Sequence, residues 1–373
     1  MRISDRKYIT LSLVLLLCAF VLCPTLGGCG STSGAKGESA NASSNSANNA
    51  ESDAEVDLSS TRSVFAMDTY MTLTAYGSAR EEALDEAVSE IERLETLFNA
   101  EDEESEIYIL NDSGTEILSE ETGYLLERSL ELYESTDGLF DIAIYPLMQA
   151  WGFTTLEYTV PDEDTLSELL KYTDASQIQY DSDSLLTELP DNMKIDLGGI
   201  AKGYTSARIM DIFEEYGLPA GVVSLGGNVQ VYGAKSDGSA WNIAIQDPDT
   251  DSGNYLGVLS LIEAKAVITS GGYERYFEED GVTYHHILDP RTGYPADSGI
   301  LSSTIVSSDG TLADGLSTAL YIMGVDEAAS YWREHSDEFD FVLLDESGTL
   351  YVSEGISDCF SSDLYDIEII TKE

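Results

Sequence analysis

Hydrophobic and polar positions alternate along this chain in blocks of two different periods. In "REEALDEAVSEIERLETLF" (80–98), Leu84, Ala87, Val88, Ile91, Leu94, Leu97 and Phe98 recur at helical spacing, with acids on the opposite face. This predicts an amphipathic helix. Further helices are predicted around 120–134, from Pro161 through "PDEDTLSELLKY", and over 201–216, where Gly217 and Pro219 stop the last one. The β-branched and aromatic run "RSVFAMDTYMTLTAYG" (62–77) reads as strand. From Gly221 the texture turns to strands: "GVVSLGGNVQVYG", "WNIAIQ", "YLGVLSLIEAKAVITS", "YERYFEEDGVTYHHIL" and "ILSSTIVSS". Asp280-Gly281 marks a hairpin turn. A helix over "TLADGLSTALYIMG", another near 326–334 and a closing hairpin in "FVLLDESGTLYVS" complete the pattern. Helices and antiparallel-looking strands in blocks predict an α+β fold rather than a doubly wound sheet.

The first 55 residues do not fit that pattern. Arg2, Arg6 and Lys7 precede the apolar run "YITLSLVLLLCAFVLC", which is shorter than the roughly 20 residues of a spanning helix. It reads as a signal peptide over 1–28. The run ends in "LGGC", which resembles a bacterial lipobox, so Cys29 is expected to carry lipid and anchor the exported protein to the extracytoplasmic face of the membrane. Residues 29–55 are polar and Ser/Asn-rich, a flexible tether. The domain then runs from 56 to 373. Of four cysteines only Cys359 remains in it, which excludes an intrachain disulfide there and requires a core large enough to stand alone.

Charge narrows the partners. Lys and Arg number 18 against 69 Asp and Glu, a formal net charge of −51. Nucleic acid is excluded as a partner. An anionic ligand needs local donors or a metal ion to offset the repulsion.

Three stretches hold candidate chemistry. "DLGGIAKGYTSARI" (196–209) joins a strand end through Gly-Gly to a helix start. Its free N–H groups and Lys202 suit an anion, although an exposed lysine at an ordinary junction has the same pattern. It is not a Walker loop, because no Ser or Thr follows the lysine. Asp196 there suits hydroxyl or ring N–H donors. "HHILDPRTGYP" contains two of the three histidines, with His286 and Asp289 three apart. No His spacing marks a zinc site. In "SSDGTLADGLSTALYIMG", Asp314 and Thr318 are four apart on one helix face and offer two oxygen ligands to a hard cation such as Mg²⁺. An Asp near a helix start and a Thr bonded within its own helix are equally ordinary.

Together with "SEIYILN", "DGLFDIAIYPLMQAWGF", "SLGGNVQVYG" and "ITSGGYERYF", these stretches resemble the ApbE family of FAD:protein FMN transferases. The resemblance covers nearly the whole domain in the family's order. It implies a fold related to the T-fold, with two intimate lobes, mainly antiparallel sheets and FAD in the cleft between them. It implies FAD as substrate, cleavage at the pyrophosphate, FMN transfer to a Thr or Ser of an acceptor protein and release of AMP. By motif, Met67, Asp196, Lys202 and Leu288 would contact FAD, and Gly138, Leu139 and Phe140 its adenine side. The Gly199 carbonyl with Asp314 and Thr318 would hold magnesium, and His286 would move the proton or organise the acceptor hydroxyl. Family members often have Gly where Asp68 follows Met67, and many have Tyr near Glu101. The competing expectations are an Mg-dependent FAD pyrophosphatase and a non-catalytic flavin-binding lipoprotein.

Overall fold

The computed structural model of the chain describes residues 58–249 and 252–373. The expected leader, Cys29 and the tether lie outside the described residues.

The 62–77 run proves to be a hairpin rather than one strand. Ser59–Ala66 pairs antiparallel with Thr69–Tyr76. Met67 and Asp68 make the turn, with φ of 48° and 60°. Two positive φ values are the signature of a type I′ turn, which usually carries Asn or Gly. Neither is present, so the period-2 pattern runs through the turn without a break. The Met67 amide is instead satisfied from outside, donating to Glu95 Oε1 at 2.7 Å.

This hairpin opens a nine-stranded sheet. Its order is 59–66, 69–76, 220–225, 228–233, 266–271, 300–307, 339–345, 349–353 and 366–370. Neighbours run antiparallel except the last pair, Thr349–Ser353 beside Asp366–Ile370, which is parallel. Alternation along the strands sorts the side chains to two faces. Leu73, Ile268, Ile305, Phe341 and Leu343 face a layer containing the helices Arg80–Phe98, Ala201–Glu215 and Gly310–Met323. Val267, Val306, Val342 and Leu344 face the other way, onto Trp241, Ile243 and Leu259. Those three come from a small sheet of 241–246, 255–261 and 360–361. The run 255–270 is therefore two strands, one in each sheet. No Gly or Pro marks the crossing at 262–265 in sequence, though Ile262 is exposed there.

Beyond the sheet, Leu147, Trp151, Phe153, Leu166 and Leu288 form a separate buried cluster. It anchors the hairpin Tyr276–Glu279/Val282–His285, whose Asp280-Gly281 turn matches the expectation. Phe277 stacks on Tyr158 at 5.0 Å and Tyr284 lies 5.2 Å from Trp151, ring to ring. The hairpin's position is thus set by aromatic packing. The helix Glu106–Ser113, capped by Ser105, was not expected from the sequence. The described architecture is α+β with mostly antiparallel sheets, as expected.

Candidate functional site

The site begins where two helices touch. Ala201–Glu215 and Gly310–Met323 approach at Gly203 and Gly310. A Cβ on Gly203 would collide with the Gly310 carbonyl and lie 2.6 Å from Asp314 Cβ. Glycine is required for this approach. The approach lays the Asp314 carboxylate over the open N-terminal turn of the first helix. Asp314 Oδ2 accepts from the Gly203 amide at 2.7 Å. Oδ1 accepts from Asn228 Nδ2 at 2.9 Å. No side chain of the helix's own N-cap position does this work, because Ile200 stands there. Asp314 is only 4% exposed. Burial pushes its carboxyl above the usual range, and the Lys202 charge, the Asn228 amide and the Gly203 N–H oppose that push.

The remaining oxygen donors lie close along the chain. Thr318 is one helical turn after Asp314 and half-buried. Among the described residues its hydroxyl has only a long 3.4 Å contact to Ser270 Oγ, which is held more closely by Ser317 at 2.7 Å. The Gly203 N–H would close a helical turn on the Gly199 carbonyl, but it is given to Asp314. Among the described residues the Gly199 carbonyl accepts no backbone hydrogen bond. Phe140 packs beneath, 3.1 Å from where a Gly199 Cβ would be.

Asp196 and Lys202 flank this turn. The Asp196 amide donates to the Ile142 carbonyl at 2.9 Å, and its Oδ1 accepts from the Gly198 amide at 2.9 Å. The residue is half-buried. Crowding by the walls raises its carboxyl, against the pull of Gly198, Lys202 and Arg275. Lys202 Nζ reaches back to the Gly198 carbonyl at 3.4 Å and makes no carboxylate ion pair among the described residues. Met67 joins the same wall, its Sδ 3.8 Å from Thr205 Oγ1.

The facing wall is the aromatic-anchored hairpin and the turn after it. The His286 amide and Nδ1 both point at the Arg275 carbonyl, at 3.0 and 3.2 Å. A carbonyl only accepts, so Nδ1 carries the proton and Nε2 is left as an acceptor. Burial, with the charge of Arg275 and the adjacent His285, pushes His286 down to about 3, so the ring is neutral. Glu274 is open to the cleft yet ringed by protein, and that enclosure pushes it up to about 7.

The expected residues are not all placed alike. Met67, Asp196, Gly199, Lys202, Asp314 and Thr318 converge on the helix start, and Lys202 acts electrostatically on His286. Leu288 is 4% exposed within the aromatic cluster and bridged to Pro295, so it has little surface to offer. Leu139 and Phe140 are core residues at 2% and 4% exposed. Gly138, with φ of 80°, lines a distinct cavity of about 320 Å³ with Tyr133, Asp141 and Arg291. Four contributors escaped sequence reasoning: Gly203, Asn228, Glu274 and Arg275. The available signal was density of motif, since each lies within a stretch already singled out.

Could this site hold a cation? Among the described residues no group of three or more His, Cys, Asp and Glu is arranged for a metal. A zinc-like cage is not what the crossing offers. It offers one buried carboxylate, one loosely held hydroxyl and one backbone carbonyl without its helical partner. Mg²⁺ uses few protein oxygens and completes its shell with water and phosphate, and that donor set fits it.

The model of the ApbE family matches residues 67–343 of this chain. The FAD:protein FMN transferase of Klebsiella pneumoniae is 34% identical over 219 residues, covering 58% of this chain and 66% of that one. That of Treponema pallidum is 31% identical over 269 residues, covering 68% and 74%. Curated relatives are matched over 60% to 74% of their own length. Among solved structures, the ApbE protein of Thermotoga maritima superposes with a TM-score of 0.76 at 32% identity, covering 81% of this chain and 99% of that one. The flavin transferase ApbE of Vibrio cholerae has the same fold at 23% identity, with a TM-score of 0.72 and coverage of 81% and 99%.

Proposed function

This chain belongs to the ApbE family, and from that premise we propose that it is an FAD:protein FMN transferase. Its substrate is FAD, and its acceptor is a Thr or Ser hydroxyl of another protein. The hydroxyl oxygen forms a bond to the flavin-side phosphorus. The bond from that same phosphorus to the bridging oxygen breaks, and AMP leaves carrying the bridging oxygen. The hydroxyl proton passes to a base. The observation that carries this reading is the Asp314 carboxylate, buried at a helix start that also presents Lys202. In a chain of net charge −51, that pairing is a local answer to a pyrophosphate.

Each residue has a physical task. Lys202 attracts and orients the phosphates, while the helix N–H of Gly203 holds Asp314 in place. Asp314, Thr318 and the Gly199 carbonyl would hold Mg²⁺, which when bound polarises phosphate oxygens and offsets developing charge. Met67 is held in a positive-φ turn by Glu95 and presents its flexible side chain to the flavin part of the cleft. Asp196 accepts from ligand hydroxyl or ring N–H groups. Neutral His286, with its Nε2 lone pair free, takes the proton of the acceptor hydroxyl. A phosphate bound beside it raises its proton affinity above the value in the free protein.

FAD would occupy the cleft between the helix-start wall and the hairpin wall, as a T-fold-related, two-lobed arrangement requires. We also propose export, lipidation at Cys29 and tethering to the membrane surface, supported by the "LGGC" stretch and the polar segment after it. The test uses the chain from residue 30 onward with FAD, Mg²⁺ and a Thr-containing acceptor protein. AMP released only with acceptor supports transferase. AMP without acceptor makes it a pyrophosphatase, and FAD bound without AMP makes it a binder.

A further inference from the structure

Arg275 has no task in the reaction as described, yet its placement is specific. Its carbonyl orients His286, while its guanidinium turns to the cleft. Nη1 donates to the Phe153 carbonyl at 3.2 Å. Nη2 lies 3.7 Å from Asp68 Oδ2, an ion pair too long for a hydrogen bond. Asp68 is on the opposite wall, on the tip of the first hairpin, with a 76% exposed side chain and a φ of 60°. Part of the Arg275 fork is therefore engaged only loosely, by a carboxylate that solvent largely surrounds. Such solvent-screened pairs add little to stability. Meanwhile Arg275 and Lys202 act electrostatically on the same three groups, Asp196, Glu274 and His286. Two cations from opposite walls thus face one space, and Asp68 stands at its mouth.

We propose that Arg275 binds the flavin-side phosphate of the dinucleotide, and that Asp68 is an internal carboxylate occupying Arg275 until that phosphate displaces it. The proposal rests on the reading of FAD as substrate. A phosphate matches the guanidinium fork with charge-assisted bonds that the distant carboxylate does not make. It also gives the hairpin wall a grip on the phosphorus that His286 must reach. The Met67–Asp68 turn then couples ligand entry to release of a contact across the cleft.

A double-mutant cycle on FAD affinity, read by quenching of flavin fluorescence, tests this. Asp68→Asn removes the charge without backbone strain, because Asn tolerates positive φ. It should tighten FAD binding about 3- to 10-fold, and Arg275→Gln should weaken it about 10-fold. In the Arg275→Gln background, Asp68→Asn should have no effect. An unchanged affinity in Asp68→Asn overturns the proposal. So does the same gain in both backgrounds, which would make Asp68 a mere long-range repeller of the ligand. If Arg275→Gln does not fold, Arg275→Lys keeps the charge and loses the fork. It should weaken FAD and shrink the Asp68→Asn gain, and wild-type affinity in it counts against the proposal. Failure of the wild type to bind FAD instead removes the substrate reading itself, a result distinct from indifference among the variants.

Discussion

At the helix crossing the polar groups around Asp314 are buried and bonded, and two glycines bring the backbones into contact. Across the cleft, His286 and Arg275 ride on a two-stranded hairpin whose support is a cluster of aromatic rings. There the polar contacts are looser: a 3.7 Å ion pair, a half-buried imidazole and an exposed carboxylate. The difference suits the proposed function. A cation and a pyrophosphate would have fixed geometry, and donors preformed around them would need no rearrangement on binding. An acceptor protein would have to bring its hydroxyl in and leave again, which calls for a wall that can adjust without unfolding. Aromatic packing is non-directional and suits that task.

The largest expected effect breaks the rigid wall outright. Gly203→Ala puts a methyl into the Gly310 carbonyl and Asp314 Cβ, so the helices must part. We expect roughly 3 kcal/mol of lost stability, measured by denaturant midpoint, together with loss of FAD cleavage. Next, Asp314→Ala should lower AMP release by at least about 100-fold, on the order of 3 kcal/mol in the barrier. A wild-type rate with the wild-type Mg²⁺ midpoint would remove the metal assignment. The structure buries Asp314 against two donors, so a measurable loss of stability should accompany the loss of activity.

The hairpin wall should separate binding from chemistry. His286→Ala should slow FMN transfer about 100-fold while FAD affinity stays near wild type. An equal loss in both would mean that the imidazole only helps bind the ligand. Asn228→Ala tests support of the metal ligand. It removes the donor to Asp314 Oδ1 and should raise the half-saturating Mn²⁺ concentration, followed by the Mn²⁺ resonance signal, about 10-fold. A constant midpoint would show that Asn228 serves packing alone.

The smallest effect concerns the floor beneath Asp196. Asp141 caps the turn that carries the Ile142 carbonyl, and burial pushes its carboxyl up from 3.8 to about 6. A raised folded-state pKa means that the fold prefers the protonated form. Its contribution is complete below the unfolded value and is lost as pH rises through about 6. Asp141→Asn should therefore stabilise the protein by about 1 kcal/mol at pH 7 and by nothing near pH 4. Equal melting-temperature shifts at both pH values would contradict this sign.

Much of the scaffold was legible because its signals are local. The helix over 80–98 announces itself by spacing: of the residues the pattern named, Leu84, Ala87, Ile91, Leu94 and Phe98 are buried and Val88 and Leu97 half-buried, while Ala83 is buried too. The 280–281 turn has Asp-Gly, so its hairpin was found. The 67–68 turn has Met-Asp, so its hairpin was missed. Asp314 and Thr318 were legible as a pair because four residues is one helical turn. Asn228 was not, because an amide in a strand has no local mark of the carboxylate it will meet 86 positions later.

The sequence by itself determined the kinds of element, their order and the inventory of motifs that marks the family. These rest on periodicity and turn chemistry, which act over a few residues. Only the tertiary structure decided that Gly203 and Gly310 meet and that Asp314 rather than a local side chain serves the Ala201–Glu215 helix. It also decided that Asp68 reaches Arg275 across the cleft. Each of those is a contact between segments far apart in the chain. Such contacts are chosen by how whole faces of sheet and helix bury against one another, and no window of the sequence contains both partners.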